Sequence, residues 1–168
     1  MKIYLAAPFA AWMGPDGLLA PQAQLLIIHI KAALERGAHE VKVPHEREDW
    51  GRNIYPPLKC THLDFVEVQQ AEGVIAIPQT SGGVHIELGW ASALGKPILV
   101  LIDGPTTALL AGLSTITDAT VREVDLASVE VVSELCMEWA ATAEAKLTSK
   151  NALQTPRSRY VRSRDSSR

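Results

Sequence analysis

Residues 74–102 read VIAIPQTSGGVHIELGWASALGKPILVLI and predict a strand, a helix and a second strand in succession. The first strand, VIAI, ends at Pro78, and residues 84–94 have the apolar spacing of a helix that stops at Gly95. A helix between two strands indicates a right-handed crossover, which makes the strands parallel. The apolar run over 97–102 is typical of a strand that is covered on both faces of its sheet.

The same alternation of strands and helices continues in both directions along the chain. It predicts an α/β fold with a single, doubly wound, parallel five-stranded sheet of the flavodoxin-like or Rossmann-like kind. We expect residues 1–150 to form one domain and residues 151–168 to form a basic, disordered C-terminal tail. Further strands are predicted at 2–6, 40–43 and 121–124, and further helices at 19–36, 58–71, 106–113 and 126–147, with a polar, breaker-rich segment at 44–57.

The composition excludes several classes of protein. Of the 168 residues, 47% are hydrophobic and 21% are charged, which excludes a wholly disordered chain, and no apolar run reaches the roughly 20 residues that a membrane span needs. Two cysteines, Cys60 and Cys136, make neither a disulfide framework nor a zinc site, and the histidines show no metal-ligand spacing. We therefore expect a cytoplasmic protein with no membrane partner, no metal and no cofactor.

The net charge of −3 hides a division along the chain. Residues 1–150 hold 11 basic and 18 acidic side chains, whereas residues 151–168 hold five arginines and one aspartate. Clustered arginines occur both in arms that bind nucleic acid and in solvated termini. Because the rest of the chain is acidic, we interpret the arginines as a solvated end and expect no nucleic-acid partner.

Candidate site residues follow from the predicted sheet, because open α/β sheets bind ligands beyond the carboxyl ends of their strands. After the third strand, Ser81, Gly82 and Gly83 lead into a helix whose free backbone N–H groups and dipole favour an anion. Glu87 follows Gly83 by four residues, and we expect it to project from the first helical turn. It is either a solvated glutamate that favours the helix dipole or a group that takes part in chemistry.

A second carboxylate favours the chemical interpretation of Glu87. Asp64 lies between apolar residues of the predicted helix at 58–71, and a carboxylate near a buried face needs a partner or a function. Tyr4, in the first strand, can bring its phenol to the same crevice. Two carboxylates in different environments are typical of retaining glycoside chemistry, in which one attacks the anomeric carbon and the other handles protons.

Three segments resemble the nucleoside 2-deoxyribosyltransferase superfamily and follow that family's order: IYLAAPF at 3–9, DFVEVQQAEGVIAI at 64–77 and SGGVHIELGWASALGKP at 81–97. The resemblance implies that Glu87 is the nucleophile that forms a covalent ester at C1′ of the sugar. It also implies that Tyr4 orients this glutamate and that Asp64 faces the sugar and base, as a candidate for proton transfer to the departing base.

The residue six positions before the nucleophile divides this superfamily. Transferases commonly have an acidic residue there, whereas this chain has Ser81, as do the hydrolases of nucleoside 5′-monophosphates. A serine and the N–H of Gly83 would bind a phosphate that a carboxylate would repel. We therefore expect hydrolysis of a nucleotide. The alternatives are a transferase that exchanges bases between deoxynucleosides and a non-catalytic nucleotide-binding sensor.

Within the hydrolases, APF at 7–9, PHEREDWG at 44–51 and ELGWASALGKP at 87–97 are most similar to the CMP and hydroxymethyl-CMP N-glycosidases of nucleoside-antibiotic pathways. The resemblance implies a pyrimidine nucleotide substrate with its base against the aromatic ring that follows the first strand. The substrate-binding residues that we predict are Ala7, Phe9, His45, Ser81 and Gly83.

Two loops bear on phosphate recognition and on assembly. Some of the hydrolases use an arginine in the loop after the first strand, whereas residues 7–20 contain no lysine or arginine. The strength of phosphate recognition therefore stays open. In relatives, the loop that corresponds to 106–115 reaches the active site of a neighbouring subunit, which implies a homodimer or a larger homo-oligomer.

Overall fold

Residues 1–154 are described by the computed structural model, and they form one parallel sheet flanked by helices. The strands are β1 (Lys2–Ala6), β2 (Glu40–Lys42), β3 (Gly73–Ala76), β4 (Ile98–Ile102) and β5 (Ala119–Glu123). The helices are α1 (Pro21–Arg36), α2 (Pro44–Arg47), α3 (Pro57–Gln70), α4 (Gly82–Ala93), α5 (Ala108–Ala111) and α6 (Val129–Gln154). The strand order β2-β1-β3-β4-β5 confirms the predicted doubly wound, flavodoxin-like fold.

Alternate residues of β1 enter two separate cores. Ile3 and Leu5 pack on the face that α1 and α6 cover, whereas Tyr4 and Ala6 pack on the face that α3 and α4 cover. All four side chains are fully buried, as the two-residue period of a strand between two helical layers requires. The same strand therefore supplies packing on one side and, through Tyr4, a phenol on the other.

Prolines determine where three helices begin. Pro21, Pro44 and Pro57 each occupy the first helical position, where a missing N–H costs no hydrogen bond. As a result α1 begins at Pro21 rather than at residue 19. The predicted irregular segment at 44–57 also contains a short helix, α2, and a 3₁₀ turn at Asp49–Gly51.

The last helix differs from its prediction at both ends. It begins at Val129 rather than at residue 126, because the Asp125 carboxylate accepts hydrogen bonds from the N–H of Ala127 and the hydroxyl of Ser128 and so forms a turn there. It continues to Gln154, past the expected domain boundary at residue 150. The remainder of the predicted basic tail, residues 155–168, lies outside the described residues. Within residues 1–154, none of the helices combines the length and the apolar character that crossing a bilayer would require.

The sheet reverses its winding between β1 and β3. The chain leaves β1 toward α1 on one face and leaves β3 toward α4 on the other, although the two strands pair side by side as far as Ala6 and Ala76. Ligands bind at such a switch point, because the diverging connections leave a crevice beyond the strand ends.

Candidate active site

A cavity of about 390 Å³ lies at this crevice, on the side of the sheet that α3 and α4 cover. Its volume is within the range of small-molecule sites, and its wall combines apolar side chains with a few titratable groups. The wall includes Ala7 and Phe9 after β1, His45 and Glu48 at α2, Tyr55 before α3, Cys60 and Asp64 on α3, and Ser81, Gly83 and Glu87 at α4.

The centre of the site is a hydrogen bond between two buried side chains. The Tyr4 hydroxyl donates to Glu87 Oε1 at 2.6 Å and so connects β1 with α4. Tyr4 is fully buried and Glu87 is 8% exposed, so water competes little with this bond. Oε2 of Glu87 has no hydrogen-bond partner among residues 1–154 and is the oxygen left for a ligand.

Glu87 lies in the second turn of α4, which corrects the prediction of a first-turn position. The helix begins at Gly82, two residues earlier than expected, because the Ser81 side chain accepts a hydrogen bond from the backbone N–H of Val84 and caps it. The alternative of a solvated glutamate is wrong, since the carboxylate is buried against Tyr4.

Burial controls the proton affinity of this pair. It raises the pKa of Glu87 from 4.5 to about 8, because a charged carboxylate loses its hydration there. The hydrogen bond from Tyr4 and the charge of Arg47 oppose this change in pKa, whereas the charges of Asp64 and Glu67 add to it. Burial, and then the charge of Glu87, also raise the pKa of Tyr4 well above its ordinary value. The raised pKa therefore favours the protonated form of Glu87 at neutral pH.

Asp64 belongs to an ion cluster around Arg47, a residue that the sequence patterns did not single out. Arg47 Nη2 donates to Asp64 Oδ1 at 2.6 Å, and Nη1 donates to Glu67 Oε2 at 2.7 Å. Burial alone would lower the pKa of Arg47, but the hydrogen bonds and charges of Asp64 and Glu67 outweigh burial and raise this pKa. Arg47 is therefore the partner that a carboxylate near a buried face requires.

His45 and Phe9 form an aromatic part of the wall. Their ring centroids are 4.8 Å apart and their planes differ by 18°, so the rings are stacked. His45 Nε2 lies 3.1 Å from the carbonyl oxygen of Pro8, which only accepts hydrogen bonds, so Nε2 carries a hydrogen. Burial lowers the pKa of His45 to about 4, and the ring is neutral at physiological pH.

The start of α4 supplies the polar part of the site that suits an anion. Ser81 and Gly83 line the cavity together with Glu87. The Ser81 oxygen accepts the hydrogen bond from the N–H of Val84 at 3.4 Å, and its hydroxyl hydrogen stays available to a ligand. Together with the backbone N–H groups of the first turn of α4, this hydroxyl offers hydrogen-bond donors to an anion.

The structure thus brings the predicted site residues together. All of them except Tyr4 line the cavity, and Tyr4 reaches it through Glu87. The residues that sequence reasoning missed are Arg47, Tyr55, Cys60 and Glu67. Two sequence features could have indicated Arg47 and Glu67. Arg47 is a single basic residue between Glu46 and Glu48, and Glu67 follows Asp64 by one helical turn. In the described part of the chain, no group of three or more His, Cys, Asp or Glu residues could hold a metal ion.

Comparison with solved structures identifies proteins with this fold. The chain is 25% identical to the Clostridium botulinum CMP N-glycosidase BcmB, with a TM-score of 0.58 over 80% of this chain and 96% of that one. It is 25% identical to BlsM, with a TM-score of 0.71 over 94% and 96% of the two chains. For a 2-deoxyribosyltransferase from Bacillus psychrosaccharolyticus the identity is 20% and the TM-score 0.54 over 77% and 90%, which shows the fold alone.

Comparison of sequences gives no further relatives, because no family model and no curated protein sequence matches the chain. One of these neighbours, at 25% identity, is a CMP N-glycosidase. Its name describes an enzyme, which supports an enzymatic function for this chain.

Proposed function

We propose that this chain, a member of the nucleoside 2-deoxyribosyltransferase-like superfamily, hydrolyses the N-glycosidic bond of a pyrimidine nucleoside 5′-monophosphate of the CMP type. The products are the free base and ribose or deoxyribose 5-phosphate. The observation that carries the proposal is the buried hydrogen bond between Tyr4 and Glu87 at a cavity that Asp64 also lines. The 25% identity to a CMP N-glycosidase supports this reaction class.

The first step forms a covalent glycosyl ester. Oε2 of the Glu87 carboxylate bonds to C1′ while the bond from C1′ to the base nitrogen breaks, and the electron pair of that bond leaves with the base. Glu87 reacts as the carboxylate, so it must first lose to solvent the proton that its raised pKa favours at neutral pH. Asp64 relays a proton from solvent to the departing base, so that the base leaves neutral.

The second step is hydrolysis of the ester. A water oxygen bonds to C1′, the bond from C1′ to Oε2 breaks, and the proton of the water passes to Asp64 and then to solvent. The Tyr4 hydroxyl donates to Oε1 throughout and stabilises Glu87 as the leaving carboxylate. The cycle returns the carboxylate to its starting state.

Recognition divides between two parts of the cavity. The 5′-phosphate binds the hydroxyl of Ser81 and the backbone N–H groups that begin α4, which fixes C1′ relative to Glu87. The base lies against the wall that Ala7, Phe9 and His45 form. Donors of a helix terminus supply phosphate affinity here, because no lysine or arginine among residues 1–154 lines the cavity.

A substrate panel tests the proposal. The protein is incubated with CMP, dCMP, UMP, cytidine and deoxycytidine, each with and without adenine, and the products are separated by liquid chromatography. We expect free base and a pentose 5-phosphate from a pyrimidine nucleotide, with little change when adenine is added. An acid-quenched sample should contain a pentose phosphate adduct in its intact mass, and this adduct should be lost in Glu87→Gln.

Two outcomes would contradict the proposed reaction. Exchange of the base for adenine, with nucleosides as better substrates than nucleotides, would identify a transferase. Saturable nucleotide binding without release of base would identify a sensor. Because Glu87→Gln removes the nucleophile but keeps nearly the same shape, persistent base release in this variant would exclude the covalent mechanism.

The proposal includes a homo-oligomer that completes the site. Leu109, on α5, is 88% exposed and Ile116, just beyond it, is 76% exposed, which is costly for apolar side chains that remain in water. A second copy that covers this segment would bury them. Sedimentation of the purified protein should give at least a dimer, and a monomer with full activity would contradict this part of the proposal.

A further inference from the structure

Arg47 connects two structural elements through three carboxylates. From the end of α2 it holds Asp64 and Glu67 of α3 at 2.6 and 2.7 Å, and its Nη2 also lies 3.5 Å from Glu48 Oε1. The side chain is only 15% exposed, so these contacts form largely out of water. Four charges that would be expensive to bury singly therefore stabilise one another.

The same contacts separate Arg47 from any ligand. Both terminal nitrogens of the guanidinium are engaged by carboxylates, and Arg47 does not belong to the cavity wall. Asp64 does belong to it. Arg47 holds Oδ1 of Asp64, whereas Oδ2 has no hydrogen-bond partner among the described residues and is the oxygen left for a ligand.

The charge of Arg47 also extends to Glu87. The groups that act on the Glu87 carboxylate are Tyr4 from β1, Asp64 and Glu67 from α3, and Arg47 from α2. Asp64 and Glu67 disfavour its ionised form, and Arg47 favours it. Without Arg47, the charged groups around the nucleophile would all be acidic.

We infer that Arg47 is a positioning residue of this site: it holds the Asp64 carboxylate by one oxygen and offsets the negative charge that α3 brings toward Glu87. It acts through these two carboxylates and does not touch the substrate. The kinetic consequences rest on the proposed function, whereas the effect on the titration of Glu87 does not.

Steady-state kinetics with CMP test the role in turnover. We expect Arg47→Met to lower kcat about 100-fold, because a displaced catalytic carboxylate costs on the order of that factor, with KM within about threefold of the wild type. Arg47→Lys restores the charge but not the two-armed geometry, and its kcat should lie between the two. A raised KM for CMP with unchanged kcat would instead mean that Arg47 binds the phosphate, and would overturn the inference.

A titration that needs no turnover separates this inference from the proposed function. The ¹³C signal of the Glu87 carboxyl, assigned by comparison with Glu87→Gln, is followed against pH. In Arg47→Met we expect the midpoint to move to higher pH, because the nearby positive charge is gone. An unchanged midpoint would overturn the inference even if CMP is hydrolysed, and an upward change would support it even if no nucleotide is a substrate.

Control variants guard against a loss of folding. Arg52→Met removes an exposed arginine that contacts Asp49 at 3.5 Å in the same segment, and we expect wild-type kinetics from it. Because Arg47→Met leaves the partly buried carboxylates of Asp64 and Glu67 without their cation, the substitution is also made in a Glu67→Gln background, where one of them is neutral. A fall in kcat on adding Arg47→Met to Glu67→Gln supports the inference, and equal kcat values for the two proteins overturn it.

Discussion

The candidate site and the cleft between α1 and α6 differ in whether their titratable side chains are buried or exposed. The α1–α6 cleft is the larger of the two, at about 560 Å³ against about 390 Å³. Its charged residues have both signs and are exposed, among them Arg36, Glu134 and Glu138. The candidate site instead has two buried hydrogen-bonded groups, Tyr4 and Glu87, with raised pKa values. Perturbed titratable groups therefore indicate chemistry where volume alone does not.

Exchanging one glutamate in each region gives the largest expected difference. Glu87→Gln should lower the rate of base release by on the order of 10⁴-fold, because an amide cannot form the glycosyl ester. Glu134→Gln, in the α1–α6 cleft, should leave the rate unchanged. Rates are measured by chromatography of the released base, and circular dichroism verifies that both variants fold. Similar losses in both variants would remove the distinction between the two regions.

Removing one hydroxyl from each region should give a smaller difference. Tyr4→Phe deletes the donor to Glu87 Oε1, and we expect kcat/KM to fall about 100-fold, as for other donors that stabilise a carboxylate in a dry site. Ser133→Ala deletes a hydroxyl in the cleft that bonds only to the Val129 carbonyl of its own helix, within the described residues, and should have no effect on kcat/KM. A fully active Tyr4→Phe would show that the nucleophile needs no orienting partner.

The pH dependence of kcat/KM reports the raised pKa of Glu87. The reactive form is the carboxylate, so the free enzyme gains activity as pH rises toward about 8 and approaches a plateau above it. Below that value kcat/KM should fall about tenfold per pH unit for a single proton. Initial rates at low CMP concentration between pH 5 and 9 measure the profile. A plateau that extends down to pH 5 would mean that burial does not control this carboxylate in solution.

The two cysteines give the mildest test, because one lines the candidate cavity and the other lies on α6, a helix that borders the cleft. Cys60 lines the candidate cavity, whereas the side chain of Cys136 is buried in the core. A small alkylating reagent should modify Cys60 in the folded protein, and saturating CMP should slow this several-fold by occupying the cavity. Peptide mass spectrometry identifies the modified cysteine. Equal labelling rates with and without CMP would place the nucleotide elsewhere.

Much of the fold could be predicted because its signals are local. The strands β1, β3 and β4 are short apolar runs bounded by glycine or proline, and the alternation with helices leaves few arrangements of a sheet. The predicted sheet placed the Tyr4 phenol near the crevice at which Glu87 was expected, and the resemblance to the superfamily implied that Tyr4 orients Glu87. Glu87 was assigned to the wrong turn because the cap formed by Ser81 shifts the start of α4.

The cluster around Arg47 could not be predicted because its cause is tertiary. Residues 44–57 read as a polar connection, and a four-residue helix such as α2 is not stable by propensity alone. In the same segment Asp49 and Trp50 have φ values of 47° and 58°, a left-handed conformation that Asp tolerates but that Trp rarely adopts. Only the folded arrangement shows that Arg47 meets three acidic side chains.

The location of Tyr4 in an interior strand has a consequence for the lifetime of the site. The strand β1 pairs with β2 on one side and β3 on the other, and backbone groups in such a strand exchange with solvent only when most of the molecule opens. The setting of the nucleophile should therefore persist as long as the native state itself. Phe9 and Ser81, by contrast, lie outside the strands, so under the proposed function the substrate would be held by residues that the sheet constrains less than it constrains the Tyr4–Glu87 pair.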